Sequence, residues 1–521
     1  MADHNDPNAV NSAFSDVDVS AADLYDLFGF PSADTAGGEK VVIALTMASV
    51  PNTGVFDSDM LYRVRMSAAP RATWPGGEEE SLDTLLKYFG AVKEKYFGAL
   101  HSAEIRVTVD AGGQAHLAFL RFPGGDFNLS IATNQVQTTE TPNGHSIKAY
   151  IGGREEGFFN DLPGFFRSIN YAPQYYNVPH SMTEARELPI PKTLLELEGN
   201  DLFNFDPATP QWGKTMKKDL PPGPWTWKGD KFKKDADGNF RFVYDGEDAR
   251  AGKNCNALIF EIPLSFITED TAKNRIVNTW GESWVLKAAH KVEAIPDEPF
   301  WHQHPWALLD GSASDAQLKQ YKLVDTDGLP FADAALSERE DNRQLGANNF
   351  WLAPHFIKRL AHLGWGFGPS ITALGLKTCF DHDNSPVSVL KTYSTAVEAF
   401  PRTKKTLFQK LNMPDNSWNP KGMDIPLRRP FEIFVPNVCA IDMDTTGTWP
   451  FGRRPEDQVA TRFLALFLDM DAELNGKRYN VDTLGDQALW NSAPIVPKTP
   501  PNPLKNDKEF LDRFPYLAEP W

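Results

Sequence analysis

The spacing of hydrophobic and polar positions divides this chain into stretches of different rhythm. Val41–Met47 is a continuous β-rich run. Met60, Tyr62, Val64 and Met66 alternate with Arg63 and Arg65, a two-residue period that predicts a strand with one wet face. Ile105, Val107 and Val109 alternate likewise, and Asp110-Ala-Gly-Gly-Gln114 predicts a turn into His116–Phe122. Phe127–Ala132, Ser146–Ile151, Asn256–Ile267 and Arg275–Leu286 extend the set of strands. One helix is expected among them, at Leu82–Phe97.

Beyond residue 335 the period lengthens. In Pro354–Leu363, Phe356, Leu360 and Leu363 share one helical face while His355, Arg359 and His362 share another. Val387–Leu411 reads as a helix broken at Pro401. Pro455–Met470 has a proline and two acids in its first turn, then a stripe of Val459, Phe463, Leu466, Phe467 and Met470. The pattern therefore predicts an α+β protein. Its N-terminal half is a β-rich, antiparallel, sandwich-like sheet structure, and a helical C-terminal half packs on it. Residues 1–40 form an acidic arm, 41–335 a β-rich portion with long ordered loops, and 336–521 a mainly helical portion of one large intertwined domain.

Composition narrows the partners. The 521 residues carry a formal net charge of -17, which disfavours nucleic acid and anionic membranes, since both attract a basic surface. Three cysteines, Cys255, Cys379 and Cys439, lie too far apart for a zinc motif and suggest a reducing compartment without a disulfide framework. The opening MADHNDPNAVNSAF lacks a basic n-region and an apolar h-region, which predicts a soluble cytoplasmic protein, or an exported one if this is the start of a trimmed chain. No apolar window is long enough to cross a bilayer.

The stretch with most chemistry is Tyr150–Phe166, where Arg154, Glu155 and Glu156 stand between a Gly-Gly hinge and Phe158, Phe159, Leu162, Phe165 and Phe166. An Arg beside carboxylates pairs with them, and the apolar run draws the pair inward. The structural reading is a clasp locking a strand to a short helix. Near the N-terminus His4, Asp6, Asp16, Asp18 and Asp23 offer oxygen donors and one imidazole, a set suited to Ca, Mn or Fe(II), or else a solvated acidic cap. A second candidate is Trp301-His302-Gln303-His304-Pro305-Trp306, whose two His point the same way on an extended chain. Asp235-Ala-Asp237-Gly-Asn239 imitates a calcium loop but has Phe240 where glycine belongs, so a hairpin turn is expected. The absence of a Gly-x-Ser-x-Gly elbow, a P-loop, a dinucleotide fingerprint and a His-Glu-x-x-His helix disfavours the corresponding enzyme classes.

Several ordered stretches resemble the bacterial family called domain of unknown function 4331. They are His4, Asp16 and Asp23-Leu-Tyr25; Phe56-Asp57-Ser58-Asp59-Met60-Leu61-Tyr62; and Gly152–Leu162, where Glu155, Glu156 and Gly157 replace the family's Asp, Asp and Pro. Gly252-Lys-Asn254 with Ala257–Pro263, Gly452-Arg453-Arg454 with Asp457, and Asn506-Asp507 with Phe514–Ala518 continue the resemblance to the C-terminus. The family has no assigned activity, so the resemblance implies kinship and extent. It also aligns three charged knots: the N-terminal acids with His4, Arg154-Glu155-Glu156, and Arg453-Arg454 with Asp457. They are expected to converge where the two halves meet.

Two functions follow. In the first, the chain is an enzyme acting on a small organic substrate in an aromatic pocket. Glu155 and Glu156 act as general base or metal ligand, Arg154 and Arg453 stabilise negative charge, and His4, Asp16, Asp23 and Asp457 hold a divalent metal. In the second, the same groups form a buried Arg–carboxylate network in a non-catalytic structural or ligand-binding protein, in which a calcium ion, if any, holds the N-terminal arm.

Overall fold

A computed structural model describes residues 20–70, 102–159, 250–290, 315–328, 438–449, 451–459, 462 and 506–521, together with the backbones of four further short strands. Its architecture is two antiparallel sheets packed face to face. The first takes β1 (Leu24–Pro31), β2 (Lys40–Ala48), β9 (Val136–Glu140), β10 (Ser146–Glu155) and β13 (Asn254–Pro263), in the order β1-β2-β13-β10-β9. The second takes β5 (Met60–Ala69), β6 (Ala103–Val109), β7 (Gln114–Leu120), β8 (Phe127–Ala132), β14 (Ile276–Leu286) and β15 (Tyr321–Asp327), in the order β15-β14-β5-β6-β7-β8. β16 (Cys439–Asp442) completes it by pairing with the first half of β14. Small antiparallel pairs are β3 (Pro51–Asn52) with β4 (Val55–Phe56), β11 (Phe232–Lys234) with β12 (Phe240–Phe242), and β17 (Asp471–Leu474) with β18 (Lys477–Asn480). β11 and β12 flank the pseudo-calcium loop as the two arms of a hairpin.

Period-two alternation produces the interior. Leu27, Ile43, Leu45, Met47, Ile151, Leu258 and Phe260 of the first sheet meet Met60, Tyr62, Val64, Met66, Ile105, Val107, Leu117 and Phe119 of the second in one buried cluster. The sheets approach closely at Gly281 of β14, where a Cβ would stand 2.4 Å from Leu45 Cδ1. Aromatic rings close one end, with Phe119 stacked on Phe127 at 4.3 Å and Phe122 on Phe266 at 4.6 Å. The N-terminal acidic segment is not all arm: from Leu24 it becomes β1, whose Leu24 N–H donates to Asp325 Oδ2 of the other sheet at 2.8 Å.

The expected helical C-terminal half is overturned. Among the described residues 49% are strand and 7% helical, and the two α-helices are the short α1 (Leu264–Ile267) and α2 (Lys287–His290), both before residue 336. The described C-terminal residues instead serve the sheets. β16 satisfies an edge of β14, and Gly29 and Arg453 exchange backbone hydrogen bonds of 2.9 and 2.7 Å along the free edge of β1. Short segments take the conformation that an unsatisfied strand edge imposes, whatever their own periodicity. Of Pro455–Met470, only Val459 and Arg462 are helical among the described residues. The expected helices at Leu82–Phe97, Pro354–Leu363 and Val387–Leu411 lie outside them.

The packing at Gly281 is directly testable. A single added methyl in Gly281→Ala must displace Leu45, and overpacking of this kind costs roughly 1–3 kcal/mol. Denaturant unfolding should show that loss, whereas Thr138→Ala on the exposed β9 should stay within about 0.5 kcal/mol.

Candidate functional site

The final residues of β10 run out of the sheet beside β13, with Arg154 opposite Cys255 and Glu155 opposite Asn254. The preceding Gly152 and Gly153 are strand positions, not a hinge: a Cβ on either would strike Asn134 or the Thr53–Gly54 turn, which press on the strand there. Alternation places Arg154 on the same face as Tyr150, with its guanidinium 4.1 Å from the ring centroid and its Nη1 2.9 Å from Glu519 Oε1. The Glu155 N–H donates to the carbonyl of Ala518, and its Oε2 accepts from Asn506 Nδ2 at 2.7 Å. Phe158 and Phe159 are buried as their composition demands, while Leu162, Phe165 and Phe166 lie outside the described residues.

Glu156 continues into the space beneath β1. It is hydrogen-bonded to Asp26, its Oε1 accepts from the Phe158 N–H at 3.3 Å, and Arg250 lies close enough to favour its charge. Asp26 in turn forms a buried ion pair with Arg453 Nη2. The Arg453 guanidinium also rests 4.3 Å from the Phe28 ring centroid and 5.7 Å from that of Phe158. Ordinary alternation puts Asp26 and Phe28 on this face of β1, and the bulge between Leu24 and Asp26 lets Leu24 and Leu27 both face the core. The resulting knot is Glu156, Asp26 and Arg453, walled by two phenylalanines and fully removed from water.

Burial dominates the electrostatics here. It pushes the Glu155 carboxyl from its usual 4.5 up to about 9, opposed by the Asn506 amide and reinforced by a hydrogen bond to the Asp507 carboxylate. Glu156 is raised for the same reason, against Arg250 and Asp26. The Cys255 thiol, buried beside Glu156, Glu155 and Asp26, is also pushed up and stays protonated. At neutral pH Glu155 is therefore a carboxylic acid, able to donate a proton, and not a base.

The anticipated residues meet only in part. Arg154, Glu155, Glu156 and Arg453 gather with Asp26, an acid that the sequence pattern did not single out. Asp23 is buried at the start of β1, where its charge acts on the Tyr25 hydroxyl together with that of Glu156. Asp457 is buried apart from these carboxylates, with Oδ2 accepting from the N–H groups of Trp449 and Arg454 at 3.0 and 2.7 Å and Oδ1 from Arg462 at 2.7 Å. Both its oxygens are thus engaged by protein donors. His4, Asp16, His302 and His304 lie outside the described residues. Among the described residues no group of three or more His, Cys, Asp and Glu side chains is arranged to hold a metal.

A second cluster contradicts the one-wet-face reading of β5. Arg63 and Arg65, expected in solvent, are fully buried on the outer face of the second sheet with Glu104 and Glu282. Arg63 donates from Nε to Glu104 and from Nη1 to Glu282, both at 2.6 Å, and Arg65 donates to Ser102 Oγ at 3.0 Å. The indoles of Trp280 and Trp284 donate to the two oxygens of Glu282 at 3.2 and 2.9 Å. Their rings also flank the guanidinium groups, with Arg65 5.0 Å and Arg63 5.4 Å from the ring centroids. Arg106 bridges Glu104 to Asp315 at 2.7 Å on either side. Burial pushes Glu104 up, but the guanidinium groups of Arg63, Arg65, Arg106 and Arg121 outweigh it and hold the carboxyl low. The available signal was charge of opposite sign at alternate positions of three strands, Arg63-x-Arg65, Glu104-x-Arg106 and Trp280-x-Glu282-x-Trp284.

No family model, curated protein or solved structure matches this chain. The chemistry of both clusters therefore rests on their own geometry.

Two consequences are measurable. A carboxyl raised in the folded state contributes stability that is complete below 4.5 and is lost as pH rises toward 9. Thermal melting should fall from pH 6 to pH 9, and Glu155→Gln, which imitates the protonated acid, should flatten that decline. Separately, Glu104→Gln removes the carboxylate shared by Arg63 and Arg106. Stranding buried guanidinium groups costs about 3–5 kcal/mol, to be read from denaturant unfolding.

Proposed function

We propose that this chain is a non-catalytic structural or ligand-binding protein whose buried Arg–carboxylate clusters lock its covering segments onto the sheets. One observation carries the reading: the chain's own C-terminus occupies the space in front of the acidic residues. Asn506 caps Glu155, Ala518 receives its N–H, and Glu519 pairs with Arg154. A Cβ on Gly157 would stand 3.1 Å from Phe510. A substrate reaching Glu155 would have to displace this segment, which also packs Tyr516 and Leu517 against Phe28, Phe30 and Tyr150.

The enzyme reading draws on a different observation. Glu155 Oε1 is buried and has no hydrogen-bond partner among the described residues, and its carboxyl is protonated at neutral pH. Such a group suits a general acid acting on a small organic substrate, with Arg154 close by to meet developing negative charge. The resemblance to the domain of unknown function 4331 family is proposed kinship and favours neither reading.

Substitution separates the two. Arg453→Met strands the buried Asp26 carboxylate, and in a structural lock the melting temperature drops by several degrees. An unchanged melting temperature refutes the lock. Glu155→Gln keeps the shape of the protonated acid, so the protein should remain folded at pH 7. If wild-type protein turns over any of a panel of small aromatic esters or glycosides and Glu155→Gln abolishes it at unchanged stability, the non-catalytic reading falls.

A further inference from the structure

At one edge of the second sheet, strand pairing builds a relay of three side chains. β8 is the last strand of that sheet, and His116 of β7 stands opposite its Ser130. Alternation sends Leu117, Phe119 and Ile131 into the core, so His116 and Ser130 share the outer face. The Thr133 N–H donates to the Gly113 carbonyl, which makes these two a hydrogen-bonded pair of the β7–β8 ladder. An odd number of steps away, His116 and Ser130 form a non-hydrogen-bonded pair, the kind whose side chains come closest. Ser130 Oγ accordingly lies 3.0 Å from His116 Nδ1. On the other side of the ring, His116 Nε2 lies 3.2 Å from Oδ2 of Asp110, in the turn between β6 and β7.

Charge sets the direction of each hydrogen bond. The Gln114 N–H above all, then the His116 ring and the Gly112 N–H, hold the Asp110 carboxyl low, so at neutral pH it is ionised and only accepts. In the neutral ring Nε2 therefore carries the proton and donates it to Asp110, and Nδ1 faces the Ser130 hydroxyl as a base. A base set between an orienting carboxylate and a hydroxyl is the arrangement that activates a nucleophile. Reagents can reach it. Ser130 is exposed, and the His116 and Asp110 side chains are 51% and 48% exposed. Small neighbours leave the hydroxyl open, with Ala132 exposed beside it on β8 and Ala118 half-buried diagonally across on β7. The same ladder parity turns the Ser130 N–H away from β7 toward the edge of the sheet, where it makes no hydrogen bond among the described residues.

We propose that Ser130 is a site of covalent acylation, a nucleophile that takes one acyl group from an activated ester with His116 as its base. Ser130 Oγ adds to the carbonyl carbon as its proton passes to His116 Nδ1. The bond from that carbon to the leaving oxygen breaks, and the leaving group takes the proton back from the ring. The products are a Ser130 ester and a free alcohol, with His116 neutral again. The outward Ser130 N–H donates to the carbonyl oxygen as it gains charge. An open surface supplies little binding energy, so the acyl donor brings a good leaving group of its own. Asp110 positions the ring and does not touch the acyl group. The site is separate from the buried clusters, and a label formed once per chain is compatible with a non-catalytic role for them.

p-Nitrophenyl acetate is the probe, added to the full-length protein at neutral pH. Peptide mapping by mass spectrometry locates the acetyl group, and the labels on surface lysines serve as an internal reference. In the wild type Ser130 should be acetylated faster than any lysine, and Ser130→Ala should lose that label alone. His116→Gln keeps a polar side chain without a base and should slow labelling of Ser130 by about a hundredfold, the low end of what a positioned general base contributes. Asp110→Asn keeps an acceptor for the turn but removes the charge, so it should slow the same label, and Asp110→Glu should recover part of the rate. Lysine labels and melting temperature should stay unchanged in each variant, since all three side chains are exposed. An acetyl group found on lysines or on His116 but not on Ser130 would overturn the proposal. So would a Ser130 label formed at the same rate in the wild type and in His116→Gln. Should His116→Gln fail to fold, Asp110→Asn carries the test, and an unchanged Ser130 rate there counts equally against the proposal.

Discussion

Guanidinium groups held away from water next to carboxylates are the constraint under which this fold is assembled. A buried Arg without a partner is untenable, and a buried Glu without one gives up its charge. The second sheet answers with Arg63, Arg65, Glu104, Glu282 and Arg106 distributed over β5, β6 and β14, so that Arg63 of β5 pairs with carboxylates of the strands on both sides while Arg106 and Glu104 pair within β6. The ladder register is thereby fixed twice, once by the apolar interior and once by the ionic outer face. A slip of one residue would move Arg63 and Arg65 into the core and Tyr62 and Val64 out of it.

The first sheet meets the same constraint differently. Its outer face is partly apolar, carrying Phe28, Phe30, Val42 and Ile259, and the C-terminal segment lies over it through Tyr516 and Leu517. Charges collect at the two ends of that covered zone. At one end Lys148 and Tyr516 converge on Glu261, at 2.7 and 2.9 Å. At the other, Arg154, Glu155 and Glu156 meet Asp26, Arg453 and the terminal residues. Where pairing is complete, as in Glu104, the carboxyl stays charged. Where it is not, as in Glu155, burial keeps the proton. The contrast between these two acids is a contrast in the number of guanidinium groups in reach, four against none that outweighs desolvation.

That difference bears on function. An ionic cluster sealed by the protein's own chain stabilises one arrangement of segments, and its residues look catalytic in sequence because catalysis uses the same side chains. Arg154, Glu155 and Glu156 are gathered with Asp26 and Arg453 and covered by the terminus, which favours a lock.

Alternation in Met60–Met66, Ile105–Val109 and Ser146–Ile151 was enough to place those strands, because burial of one face writes a period of two into the residues themselves. The Asp110–Gln114 turn was legible for the same local reason, since the Asp110 carboxylate bonds the N–H groups of Gly112 and Gln114. Local pattern did not show that the outer face of β5 is buried, because alternation looks identical whether arginine faces solvent or a glutamate on the next strand. Nor did it show that β1 and β16 would be strands, as both are held by edges supplied from distant sequence. The burial of Arg154, Glu155 and Glu156 followed from their phenylalanine neighbours. Their partners did not, since Asp26, Arg453 and Asn506 lie far off along the chain, and only folding in three dimensions decides which charges share the same dry space.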